Sequence, residues 1–179
     1  KLVMEVGVKK LSADLGVKLG LLLFLSNAIF YVVDIELFLN WKISIVFLVI
    51  IIGSGIYSII NARKKLGGYI NWSDAFVSYM ACVAVGMLIA ALTQIFIFVI
   101  LDPGAAEKLN EASMIMVKEM YTGMNLPEEV IQQALIEMEK NPQLSLRNLT
   151  LSLAVGLGIQ AFFGAINALI FKRSNPEIA

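Results

Sequence analysis

Apolar residues gather along this chain into four long runs, separated by short polar breaks and one long polar insert. The runs lie at about 15–37, 43–60, 75–101 and 149–171. Stretches of about 18 or more mostly apolar residues read as membrane-crossing helices, because a helix of that length spans the hydrocarbon layer with every backbone group paired internally. The pattern therefore predicts an all-α polytopic membrane protein with four transmembrane helices, a single membrane domain over 1–179. Residues 1–14 are polar with scattered valine and leucine, and read as an amphipathic lead-in. The first run is long and lacks a small-residue cleavage site after a short core, so it reads as a span and not as a cleavable signal peptide.

The insert over 103–148 predicts a helical hairpin between the third and fourth spans. Its first helix covers about 104–121, with Leu109, Met116, Val117 and Met120 on one stripe. The second opens at Asn125-Leu126-Pro127-Glu128, where Asn caps and Pro is tolerated in the first turn. Val130, Ile131, Ala134, Leu135 and Met138 form its apolar face, and Asn141-Pro142 stops it.

Charge sets the orientation. Lys1, Lys9, Lys10, Lys18, Arg63, Lys64, Lys65, Lys172 and Arg173 fall on the side of the termini, against Lys42, Lys108, Lys118, Lys140 and Arg147 on the other. Positive charge favours the cytoplasmic side, so both termini are expected inside and the hairpin outside. Over 102–148 there are eight acids against four bases, a net charge of −4.

Composition agrees: 59% of the 179 residues are hydrophobic and mean hydropathy is +0.81. A formal net charge of zero points away from nucleic acid. There is no histidine, which removes the commonest general base and metal ligand. The lone Cys82 lies in an apolar run and reads as a buried small thiol. No nucleophile–base pair, P-loop or dinucleotide fingerprint is present, so no catalytic, cofactor-binding or metal residue is assigned.

The span interiors hold no ionisable residue; Lys18 lies near one end of the first and Asp34 and Glu36 near its other end. This counts against an ion-coupled pump, which needs a charge near the midplane. Uncharged polar residues are ordered instead. At 100° per residue, Gly16, Gly20, Asn27, Tyr31 and Asp34 share a face of the first span. Ser54, Ser58 and Asn61 share one on the second, Gln94 lies below Ala90 and Met87 on the third, and Ser152, Gly156, Gln160 and Asn167 align on the fourth. Asn27, Ser54, Ser58, Gln94, Gln160 and Asn167 are thus candidates for helix packing or for a polar lumen or cleft. Gly16-x-x-x-Gly20, Ala154-x-x-x-Gly158 and Gly164-x-x-x-Ala168 suit close helix packing. In the insert, Met116, Met120, Met124 and Met138 are candidates for an adaptable partner-binding face.

The stretch GGYINWSDAF holds the remaining candidates: Gly67, Gly68, Tyr69, Trp72, Ser73 and Asp74. The glycines suit a tight reversal, Tyr69 and Trp72 suit the headgroup zone, Ser73 is expected to cap the third span, and Asp74 falls in its first turn. A phosphate or lipid-headgroup site is the competing reading, since basic residues and helix N–H groups lie near. The same stretch resembles the GGY/F-x-S/N-F/W-x-D/E-A-F signature of a Bacteroidota family of four-span membrane proteins of unknown function. Gly16-Val17-Lys18-Leu19-Gly20 is similar to that family's first-span entry, with Leu15 where an aromatic is usual. The acidic Met-rich insert and the basic tail Lys172-Arg173-Ser174-Asn175-Pro176 are similar too. The resemblance implies an inner-membrane location and no activity. The function expected is that of a non-enzymatic accessory or assembly subunit, with the bilayer, other subunits or itself as partner and no cofactor; the alternative is a small homo-oligomeric transporter or channel.

Overall fold

The structure, a computed structural model, describes residues 2–173; the proline-containing end of the basic tail lies outside the described residues. It is all-helical, with six α-helices: α1 (Leu2–Val33), α2 (Trp41–Lys65), α3 (Trp72–Ile95), α4 (Pro103–Gly123), α5 (Glu128–Lys140) and α6 (Leu146–Phe171). A 3-10 turn (Ile35–Leu39) follows α1, and a π-helical turn (Phe96–Leu101) extends α3. Four helices are long and apolar enough to cross a membrane: Gly7–Val33, Trp41–Lys65, Trp72–Leu101 and Leu146–Phe171. The chain is read as a multi-pass membrane protein. The segment expected as a separate lead-in is continuous with α1, because nothing in it interrupts the helix ladder.

Polar residues decide where the helices break. Asp34 Oδ1 accepts from Glu36 N at 2.9 Å, opening the 3-10 turn, and Asn40 Oδ1 accepts from Lys42 N at 3.0 Å, opening α2. The third span is capped by Asn71 and not by Ser73. Asn71 Oδ1 accepts from Asp74 N at 2.8 Å, and Asn71 Nδ2 donates to Asp74 Oδ2 at 2.8 Å. That reciprocal pair starts the helix at Trp72, so Ser73 falls inside the first turn. Asn125 likewise does not cap α5. It takes φ 54° and closes α4, with Asn125 N donating to Thr122 O at 3.0 Å and Leu126 N to Tyr121 O at 3.1 Å. This double bond pattern is the left-handed C-terminal closure that asparagine tolerates better than most residues.

The two glycines of GGYINWSDAF close α2 in the same manner. Gly67 N donates to Lys64 O at 3.3 Å and Gly68 N to Arg63 O at 2.9 Å, with φ of 77° and 96°. A Cβ at Gly67 meets nothing within 4 Å, so backbone conformation and not space disfavours other residues there. Gly67→Ala is expected to cost about 1–2 kcal/mol, the penalty for a side chain in the left-handed region. A thermal melt in detergent that moved by less than the error of replicates would overturn this.

α3 is the hub, packing against α1, α2 and α6. Its inner face is served by glycines on the neighbours: Gly16 and Gly20 of α1 lie against Cys82–Val85 and Ile89, while Gly55 of α2 and Gly164 of α6 both lie against the Tyr79 ring. One core cluster (Val8, Ile59, Ala62, Ile70, Ala75, Tyr79, Val83, Ala168) fills the end of the bundle that holds Arg63–Lys65 and Arg173. There Lys65 Nζ donates to Gly7 O at 3.0 Å, and Ile70 and Arg173 exchange backbone bonds. A second cluster (Ile97, Phe98, Ala105, Leu109) seats α4 on the opposite end, against Tyr31, Ile35 and Phe38.

Candidate functional site

Between the two clusters the four long helices surround a cleft of about 440 Å³. That is within the range of about 300–1,000 Å³ typical of ligand sites. Its walls come from α1 (Asn27, Phe30), α2 (Ser44, Phe47), α3 (Met87, Gln94) and α6 (Ser152, Gln160), with further apolar residues between them. Exposed Ser44 and Leu48 on α2 face the open side together with exposed Ser152 and Ile159 on α6. Ile51 and Met87 form its floor, since both also pack on the Tyr79 cluster. Every lining residue is uncharged.

The polar groups in the cleft are held in fixed directions. Tyr79, fully buried, donates its hydroxyl to Gln160 Oε1 at 2.7 Å. Gln160 is 3% exposed. Its oxygen accepts from Tyr79, and its amide NH₂, a donor group, borders the cleft without a partner among the described residues. Nearer the α4 end, Asn27 Nδ2 donates to Leu23 O at 2.9 Å within its own helix, and Gln94 Nε2 reaches Asn27 Oδ1 at 3.5 Å. That second contact is at the outer limit of a hydrogen bond. Gln94 also lines two smaller cavities of about 330 and 120 Å³, which run beneath Gln143 and Leu144. Asn110 of α4 borders the smaller one, and its Oδ1 is buried without a partner. Phe30 stands edge-on to Phe38 and Phe47, with centroids at 5.6 and 5.8 Å, and all three rings line the cleft.

A family profile matches residues 14–173. The chain belongs to DUF4199, a family of proteins of unknown function. No curated protein and no solved structure matches it.

In this DUF4199 chain the predicted polar residues separate into two groups. Asn27, Gln94 and Gln160 meet at the cleft, as do Met87, Ala90, Ser152 and Gly156 from the same stripes. Ser54, Ser58 and Asn167 do not. Ser58 Oγ donates to Ser78 O at 2.8 Å across the α2–α3 contact, and Ser54 O accepts from Cys82 Sγ at 3.7 Å. Asn167 Nδ2 donates to Phe163 O of its own helix at 2.9 Å. Tyr79 escaped the sequence reading although it organises both the floor of the cleft and the glycine contacts. Its signal was a lone tyrosine deep in an apolar run, which needs a polar partner when buried.

Most of the polar groups of the GGYINWSDAF turn bond to the turn itself or to the neighbouring helices. Asn71 and Asp74 bond each other, the Gly67 and Gly68 N–H groups close α2, Trp72 stacks on Phe76 at 5.4 Å, and Trp72 Nε1 donates to Ala165 O at 3.3 Å. Tyr69 and Trp72 remain exposed at the end of the bundle. On α4 and α5, Met116 (46% exposed), Met120 (51%) and Met124 (64%) face outward with Ile115, Val130 and Ile136. Met138 differs: it is partly buried, on the same side of α5 as Ile131.

Asp102 ties α1 to the start of α4. Its Oδ1 accepts from Ala105 N at 2.9 Å, capping α4, and its Oδ2 accepts from Tyr31 Oη at 2.9 Å. The Ala105 N–H, then the Tyr31 hydroxyl, hold the Asp102 carboxyl below its ordinary value. A carboxyl depressed by folding stabilises the fold above the unfolded value of about 4 and loses that stability as pH falls through the folded value. The melting temperature is thus expected to fall more steeply between pH 5 and about 3 in the wild type than in Asp102→Asn. Equal slopes would remove Asp102 from the acid response.

Proposed function

We propose that this protein is a non-enzymatic accessory subunit of a bacterial inner-membrane assembly, with both termini cytoplasmic and α4–α5 as an extracytoplasmic hairpin. The observation that carries this reading is the outward apolar face of Met116 and Met120 on α4, continued by exposed Met124 just past its end. This face belongs to the segment that bears eight acids against four bases. Large apolar residues exposed together on a polar element mark contact surfaces, and methionines adapt to a partner's shape. The partner that fits is a protein subunit presenting an apolar patch with a basic rim. The clustering of Arg63, Lys64, Lys65 and Arg173 at the other end of the bundle supports the orientation.

The test is purification of the tagged protein from its native membrane in mild detergent, beside a Met116→Arg/Met120→Arg variant. A companion recovered at unit stoichiometry with wild type and lost with the variant supports the accessory reading. A homo-oligomer without a companion overturns it and favours a transporter or channel, which the uncharged cleft would then line. Within one chain the packed Tyr79 floor argues against an open pore. Strong activity of a periplasm-dependent reporter at the C-terminus would overturn the orientation.

A further inference from the structure

We infer that the cleft binds an uncharged lipid whose head carries a carbonyl oxygen, and that this oxygen accepts from the Gln160 amide. The site is independent of the α4 face that carries the accessory reading.

Three features fix the chemistry. First, the cleft lining is mostly apolar and wholly uncharged, so a charged head gains no partner inside and loses its hydration on entry. Second, Gln160 has unused donors. Its oxygen already accepts from Tyr79, it is 3% exposed, and its NH₂ has no partner among the described residues, so the group that completes it is an acceptor oxygen. Third, Gln160 lies deep. At about 1.5 Å per residue it stands roughly 20 Å along α6 from Leu146 and roughly 16 Å from Phe171. The ester of a phospholipid stays at the headgroup boundary, held there by its charged head. A carbonyl that reaches Gln160 belongs to a molecule whose whole head enters hydrocarbon.

Two kinds of membrane molecule share that chemistry: a neutral acylglycerol, through an ester carbonyl, and an isoprenoid quinone, through a ring carbonyl. Gln94 supplies a second point, since its Oε1 and one N–H remain free near the α4 end of the cleft. The Phe30, Phe38 and Phe47 rings offer an apolar wall for chain or ring. Entry from the bilayer passes between α2 and α6, where Ser44, Leu48, Ser152 and Ile159 are exposed.

The experiment has two arms. The protein purified in mild detergent is extracted with organic solvent, and the extract is analysed by mass spectrometry for acylglycerols and by absorbance for quinones. Stripped protein is then titrated separately with dioleoylglycerol and with a decyl-substituted benzoquinone, reading the melting temperature. Binding to the folded state alone raises it. One of the two probes is expected to raise the melting temperature and to match the molecule extracted. Gln160→Leu is expected to weaken that probe about tenfold, the loss of one hydrogen bond of about 1.4 kcal/mol. Because Gln160→Leu also orphans Tyr79, Ala90→Phe serves as a second variant; it fills the cleft and leaves the Tyr79–Gln160 bond in place. It is expected to abolish both the extracted molecule and the thermal shift. Recovery of phospholipids alone in bulk-membrane proportion, or equal neutral-lipid content in wild type and Ala90→Phe, overturns the inference.

Discussion

Gly16→Leu is expected to break the α1–α3 contact and with it most of the bundle's stability. A Cβ at position 16 would lie 2.5 Å from the Cys82 carbonyl oxygen and 2.8 Å from Val85 Cβ. The first obstacle is backbone, inside a continuous helix, so no rotamer change relieves it and α1 must move outward. Two effects compete. Replacing glycine in a helix interior gains up to about 1 kcal/mol of propensity. Overpacking a filled interface costs about 1–3 kcal/mol, and more where backbone is the obstacle. The clash wins, even for Gly16→Ala. Gly53→Leu is the matched control, because a Cβ there meets nothing within 4 Å and only the propensity gain remains. Melting temperatures in one detergent decide the matter. A Gly16→Leu protein as stable as Gly53→Leu would mean that α1 does not seat on α3 through this glycine.

That comparison marks what hydrophobic pattern can and cannot convey. Four apolar helices follow from run length, since a membrane leaves the backbone no other way to pair its polar groups. The polar faces of α1, α3 and α6 follow from helical periodicity, and Asn27, Gln94 and Gln160 do converge. Partner choice does not follow. Gly16-x-x-x-Gly20 and Ala154-x-x-x-Gly158 carry the same spacing, yet the first is jammed against α3 while Gly158 faces open space. Small residues permit close approach without specifying which helix approaches. Caps fail for a related reason: Asn71 and Ser73 are both good caps two residues apart, and the choice rests on Asn71 forming a second bond to Asp74. At Asn125 the same side chain suits a helix start or a left-handed helix end, and the Tyr121 and Thr122 carbonyls of α4 claim it. Tyr79 was hardest to read, because its partner lies 81 residues away.

The Tyr79–Gln160 bond yields the second large effect, and a double-mutant cycle measures it. Gln160→Leu strands the Tyr79 hydroxyl, whose surroundings are the Gly55, Gly164 and Val83 contacts of a fully buried site. Leaving a buried donor unpaired costs about 1–3 kcal/mol, whereas hydrogen bonds between membrane helices average about 0.6 kcal/mol and reach about 1.7. The upper part of that range applies here, because the packed ring holds the hydroxyl away from any alternative acceptor. Tyr79→Phe is expected to cost less, since the freed Gln160 amide borders the cleft and can find water or ligand there. The double variant Tyr79→Phe/Gln160→Leu removes donor and acceptor together and should lie near Tyr79→Phe, so that the two losses fail to add by about 1 kcal/mol. Strict additivity would mean that the bond does not couple α3 to α6. Tyr79→Phe separates two roles as well. It leaves the packing around the ring intact but frees the Gln160 amide to rotate, so loss of lipid binding with little loss of stability would identify the hydroxyl as the group that aims the amide into the cleft.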